Sequence, residues 1–140
     1  LKRSYTLKLD GEQVQLRLTV AGQRTLRKKY QEDTLQTVLE AAADGEKMAA
    51  VLDAALNWAG NDNPIRDGEE LYDRLVDEGW SGQTRFGGLA FDIAAESGLI
   101  SPEQAEQLKA SMEQAVEQAF QLLNEESDDD EDQDGPFGRD

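Results

Sequence analysis

The chain has 140 residues, about one domain's worth, with 14 Lys plus Arg against 30 Asp plus Glu and a formal charge of -16. Leu, Ile, Val and Phe together number 30, just above the level of about 20% below which a highly charged chain stays unfolded, so a modest core is expected. Histidine and cysteine are absent, which excludes imidazole acid-base chemistry, thiol nucleophiles, Cys/His zinc sites and disulfides. No apolar run approaches the roughly 18 residues of a membrane span. The opening Leu1-Lys2-Arg3-Ser4 leads into alternating sequence rather than an apolar signal segment, so a soluble, cytosolic protein is expected.

Charge is segregated along the chain. Residues 1–30 hold Lys2, Arg3, Lys8, Arg17, Arg24, Arg27, Lys28 and Lys29 against Asp10 and Glu12, a net of +6. Residues 31–124 carry a net of -14, and residues 125–140 a net of -8. A basic amino-terminal arm on an acidic body points to intramolecular docking or to head-to-tail association between copies. Plain solubility is the competing reading, since acidic surfaces repel one another.

The first elements read as a hairpin. Tyr5, Leu7 and Leu9, then Val14, Leu16, Leu18 and Val20, alternate with polar residues at the period of half-buried strands. Asp10-Gly11 supplies the tight turn between them. Two strands are marginal alone, so their apolar face must lie on helices or on another copy.

After Ala21-Gly22 the period becomes helical. A short helix around Gln23 to Gln31 aligns Leu26 with Tyr30. Asp33 and Gln36 form a capping-box-like pair opening a helix with Leu35, Val38, Leu39 and Ala42 on one face, with Thr34 a competing cap. A third helix, Glu46 to Ala59, aligns Met48, Val51, Leu52, Ala55, Leu56 and Ala59, and Gly60 stops it. Asn61-Asp62-Asn63-Pro64 is a loop on turn chemistry. Asp67 and Glu70 start a helix reaching Glu78, with Leu71, Leu75 and Val76 inward and Trp80 packing beyond Gly79.

Residues 82–97 bring Phe86, Leu89, Ala90, Ile93 and Ala94 to helical spacing before Gly98. Gly87-Gly88 costs that helix roughly 1 kcal/mol per residue relative to Ala, which implies a late start or close backbone packing. Ser101-Pro102-Glu103-Gln104 is the strongest helix start in the chain. From it Ala105, Leu108, Met112, Ala115, Ala119 and Leu122 recur at helical spacing, widened by Val116, Phe120 and Leu123, for one helix of about six turns. The acidic run from Glu125 cannot bury enough surface to offset its ordering entropy and is expected to be disordered. The fold expected is therefore mainly α: a single domain over 1–124, with an amino-terminal two-stranded hairpin and a bundle of about five to six helices, then a disordered acidic tail over 125–140.

Sites for chemistry are scarce. Asp130-x-Asp132-x-Asp134-Gly135 matches the start of a calcium loop, but the closing bidentate Glu has no place before Asp140, so no metal is assigned. Gly79-Trp80-Ser81-Gly82 and Arg85-Phe86-Gly87-Gly88 lack the Lys and the strand-loop-helix setting of a phosphate loop. Asp67, Glu70, Asp73, Asp77 and Glu78 on one helix read as a solvated face, and Trp58 and Trp80 as core or interface anchors. Arg24, Arg27, Lys28 and Lys29 suit phosphate, but the acidic body and tail repel nucleic acid. No catalytic residue, cofactor or metal is expected, and no enzymatic activity.

The order of elements resembles a known family. A polar-alternating ribbon over Tyr5 to Val20 is followed by the Gln23-Arg24-Thr25-Leu26 helix start and several short helices. Glu70-Leu71-Tyr72-Asp73-Arg74-Leu75-Val76-Asp77-Glu78-Gly79 then leads to Glu96-Ser97-Gly98-Leu99-Ile100-Ser101. Over residues 5–124 this is similar to the tail assembly chaperones of long-tailed phages and prophages of Gram-positive bacteria. The acidic tail is not part of that pattern. The resemblance implies a non-catalytic assembly factor in the host bacterial cytoplasm that binds the tape measure protein and helps recruit tail tube protein. An acidic nucleic-acid mimic that blocks a host DNA-binding protein is the alternative; regularly spaced carboxylates on a rigid face would favour it. The partner-binding candidates are Leu108, Met112, Val116, Phe120 and Leu123 on the last helix, whose apolar stripe reads either as a client surface or as domain core.

Overall fold

The computed structural model describes residues 3–134, with side chains described for 3–124. The chain runs β1 (Tyr5–Leu9), β2 (Glu12–Leu16), α1 (Val20–Tyr30), α2 (Thr34–Ala41), α3 (Gly45–Leu56), α4 (Gly68–Asp77), α5 (Gly82–Glu96) and α6 (Pro102–Asp134). The expected hairpin followed by helices is what forms. The expected disordered tail, 125–140, lies outside the residues whose side chains are described; the α6 backbone runs on to Asp134, past the boundary placed at Asn124.

β1 and β2 pair antiparallel, with Tyr5 opposite Leu16, Leu7 opposite Val14 and Leu9 opposite Glu12. That register puts Leu7, Leu9, Val14 and Leu16 on one buried face, as the period of two requires. The alternation continues to Val20, but the ladder stops at Leu16. Beyond it, the Arg17 backbone N–H donates to the Ala55 carbonyl at 2.9 Å and that of Leu18 to Ser97 Oγ at 2.8 Å. Thr19 then caps α1, its Oγ1 accepting from the Gly22 backbone N–H. Helix α1 therefore begins at Val20, three residues before the expected Gln23, and Val20 is 71% exposed instead of facing inward.

The helices form a bundle in which α3 packs on α1, α2, α4, α5 and β2. Met48, Val51, Leu52, Ala55 and Leu56 of α3 are buried, and so are Phe86, Leu89, Ala90, Phe91, Ile93 and Ala94 of α5. Phe91 falls outside the periodic set read from the sequence. The buried face of α2 is Thr34, Thr37, Val38 and Ala41, a rotation of about one residue from the expected face, which leaves Leu39 exposed. Asp33 caps α2 by position without a side-chain bond, because Gln36 donates to Glu40 instead of closing a box. Thr37 Oγ1 donates to Glu32 at 2.7 Å, which explains how a buried hydroxyl is tolerated on that face.

Helix α3 ends at Leu56 rather than Ala59. The Asn57 side-chain amide donates to the Asp53 and Arg66 carbonyls, both at 2.7 Å, and ends the helical run. Ala59 is consequently exposed, and Trp58 turns back so that its Nε1 donates to the Gln15 carbonyl at 2.9 Å. Asn63, in the stretch read only as a loop, is buried and pairs with both backbone groups of Gln15: Oδ1 accepts from the N–H at 2.6 Å, and Nδ2 donates to the carbonyl at 2.9 Å. A side-chain amide thus closes the outer edge of β2. In α4, Asp67 accepts from the Glu69 and Glu70 backbone N–H groups as expected. Leu71 and Leu75 face inward, whereas Val76 is 46% exposed.

Candidate functional site

Helices α5 and α6 form the hairpin that builds the candidate site. The chain reverses through Gly98, which sits at φ +83°, and Ser101 and Gln104 exchange reciprocal cap bonds of 2.9 and 3.0 Å at the start of α6. From there α6 returns along α5. Lys109 meets Asp92 at 2.6 Å, and Met112 lies over Gly87. A Cβ on Gly87 would stand 2.4 Å from Met112 Cε and 2.9 Å from Ala42 Cβ, so the glycine is what lets α6 seat this closely. The close backbone packing inferred from Gly87-Gly88 is found at the first glycine; Gly88 has nothing within 4 Å of its Cβ position.

The antiparallel register decides how much of α6 is covered. Stepping back one residue on α5 for each residue forward on α6, the Met112–Gly87 contact puts Val116 level with Gln83 and Ala119 past the first turn of α5. Helix α6 has 33 residues and α5 has 15, or about 50 Å against about 22 Å at 1.5 Å per residue. Ala105 is therefore buried, and Leu108 and Met112 pack against the core. Beyond them Phe120 is 63% exposed, Leu122 61% and Leu123 57%. Val20, Leu39 and Val76 are also exposed, but each stands on a different helix, whereas these three lie within four residues of one another.

Where α6 overshoots, it leaves a groove of about 520 Å³ between its stripe and the first turn of α5. Ala115, Val116, Ala119, Phe120 and Leu123 form one wall; Ser81, Gly82, Gln83 and Thr84 form the other. Of the five residues proposed from the sequence, Val116, Phe120 and Leu123 come together here, while Leu108 and Met112 lie on the core side of the same stripe. The opposing wall was not legible in the sequence. Gly79 marked a helix end there, but nothing local tied that end to α6.

No ionisable group lines this groove, and its α6 wall is wholly apolar, which suits apolar docking. A larger cleft of about 750 Å³ runs past Arg17, Asn57, Trp58, Asn61 and Arg66, with mixed polar and apolar walls. Trp80 is half-buried, stacked by Arg85 at 4.0 Å and tilted on Phe86 at 5.6 Å; Phe86 in turn stacks on Tyr72 at 4.6 Å. Burial, with the Asp92 carboxylate as a second cause, pushes the nearby Tyr5 hydroxyl above its ordinary pKa.

Among the described residues no group of three Asp or Glu side chains is gathered as a metal site, and no helix is long and apolar enough to cross a membrane. The Asp130 to Gly135 tract lies outside the described side chains. Comparison with protein-family models, with curated proteins and with solved structures gives no match.

Proposed function

We propose that the protein is a tail assembly chaperone of a long-tailed phage or prophage, one that holds the tape measure protein through the groove at the free end of α6. The observation that supports this most directly is the exposure of Phe120 and Leu123 on a helix that runs past its supporting partner. A chaperone must cover apolar helical surface on its client and later release it. A shallow groove of alanines with two or three large apolar residues suits a client helix laid against it. The sequence resemblance over residues 5–124 supplies the identity of the client, and recruitment of tail tube protein would follow from it.

The test is to replace Phe120 and Leu123 with Ser and to co-purify each form with a tape measure protein. Because both side chains are largely exposed, folding stability should change by no more than about 0.5 kcal/mol, while client capture falls sharply. Capture unchanged by the substitutions, or selective capture of a DNA-binding protein instead, would overturn the reading; the second result would favour the nucleic-acid mimic.

A further inference from the structure

Helix α1 carries Arg24, Arg27, Lys28 and Lys29 and no acidic residue. All four basic side chains are exposed. Four other basic residues are paired with carboxylates: Arg3 with Glu96, Lys47 with Glu32 and Glu40, Arg74 with Glu12 and Glu78, and Lys109 with Asp92 and Glu106, whereas Lys8, Arg17, Arg66 and Arg85 stand singly. Among the described residues no ion pair involves the α1 cluster. Arg24, Arg27 and Lys28 follow one another at i, i+3 and i+4, which is one stripe of a helix, and with the left-handed cap Gln31 and with Glu32 and Asp33 they line a cleft of about 480 Å³. Arg27, Lys28 and Lys29 fall in the last turn, where cations suit the carboxyl end of the helix dipole, and the cluster is the main basic surface on a molecule whose remaining body is strongly acidic.

The same spacing occurs in acidic form in this chain. Glu125, Asp128, Asp129 and Asp132 stand at i, i+3, i+4 and i+7 on a backbone that continues α6 to Asp134. Helix α1 packs on α2 and α3, whereas α6 packs on α5. From Met112, the last stripe residue packed on the core, α6 continues for 22 further residues, about 33 Å at 1.5 Å per residue. Given these pairings, a continuation of the same helix favours a partner on a second molecule over the chain's own α1.

We infer that the α1 stripe is a docking surface for the acidic end of α6 from a second copy of this chain, giving head-to-tail self-association. The interface is heterologous, so an associated pair keeps one free acidic end and one free basic stripe, and chains or rings grow as concentration rises. Attraction between the two surfaces is electrostatic and responds to salt. The inference does not depend on which client the groove holds.

Sedimentation velocity of the full chain tests it at ionic strengths of about 0.01 M and about 1 M, where the Debye length falls from about 30 Å to about 3 Å. Faster-sedimenting species should appear with concentration at low salt and vanish at high salt. The charge-reversed variant Arg24→Glu/Arg27→Glu/Lys28→Glu should stay monomeric, and so should Glu125→Gln/Asp128→Asn/Asp129→Asn/Asp132→Asn. Mixing the two should restore a one-to-one pair and nothing larger, because each variant retains the surface the other has lost. A wild-type chain that stays monomeric at low salt, or variants that associate as the wild type does, would overturn the inference. So would a stripe that binds a labelled nucleic-acid duplex without any self-association.

Discussion

Asn63 shows how one polar side chain sets a local fold. Its amide closes the outer edge of β2 on Gln15, and its Nδ2 also reaches the Leu56 carbonyl at 2.9 Å, where α3 ends. Asn63→Ala should therefore cost about 1–3 kcal/mol, the penalty for leaving buried backbone groups unpaired. Asn63→Asp, which keeps the acceptor but not the donor, should also destabilise; urea unfolding of both variants checks this. The two adjacent glycines of α5 should respond oppositely. Gly87→Ala drives a Cβ into Met112 and into the less yielding Ala42, an overpacking cost of about 1–3 kcal/mol. Gly88→Ala meets open space and should stabilise by up to about 1 kcal/mol, because it removes backbone entropy from the unfolded chain. Midpoints shifting in the same direction would contradict this account.

Capping and register govern the elements. The Ser101–Gln104 box was legible because Ser, Pro and Gln at those positions satisfy donors that every helix start leaves open. Ser101→Ala should cost about 1 kcal/mol and speed amide exchange in the first turn of α6. The Asp33–Gln36 pair had the same spacing but makes no box, since Glu40 one turn further on offers Gln36 a charged acceptor at 3.1 Å. Strand alternation likewise ran on past the real end of β2. Leu18 is buried at 1% and keeps the period, although its backbone N–H has left the ladder for Ser97.

Across the described residues four cations pair with seven carboxylates. Lys47 joins Glu32, at 3.0 Å after α1, to Glu40 in α2, and its ammonium lies 5.2 Å from the Tyr30 ring. Hydrogen bonding to Glu40 first, then to Glu32, raises the Lys47 pKa above the ordinary lysine range, and hydrogen bonding from Lys47 and Gln36 lowers that of Glu40. The signs fix the pH window. The raised lysine contributes stability below its unfolded value of about 10.4, lost only as pH climbs through its folded value; the lowered carboxyl contributes above its unfolded value of about 4.3, lost as pH falls. Replacing Lys47 with Met should lower the urea midpoint by a near-constant amount from about pH 6 to about pH 9, with the gap narrowing below about pH 4. A gap independent of acidification would mean that lost side-chain packing, not charge, carries the effect.

Period, turn residues and caps are local properties, and they were enough for the hairpin, the order of the helices and the start of α6, because each depends on neighbours within one or two turns. The groove depends on a length difference between two elements instead. The apolar stripe of α6 is equally periodic from Ala105 to Leu123, and nothing in its spacing separates the half that is core from the half that is surface. That division falls at the first turn of α5, since a 15-residue helix can cover only the matching stretch of an antiparallel 33-residue one. The rotated face of α2, the outward Val76 and the buried Asn63 have the same origin. In each case a partner distant in sequence, rather than the residue's own propensity, determined which side was closed to water.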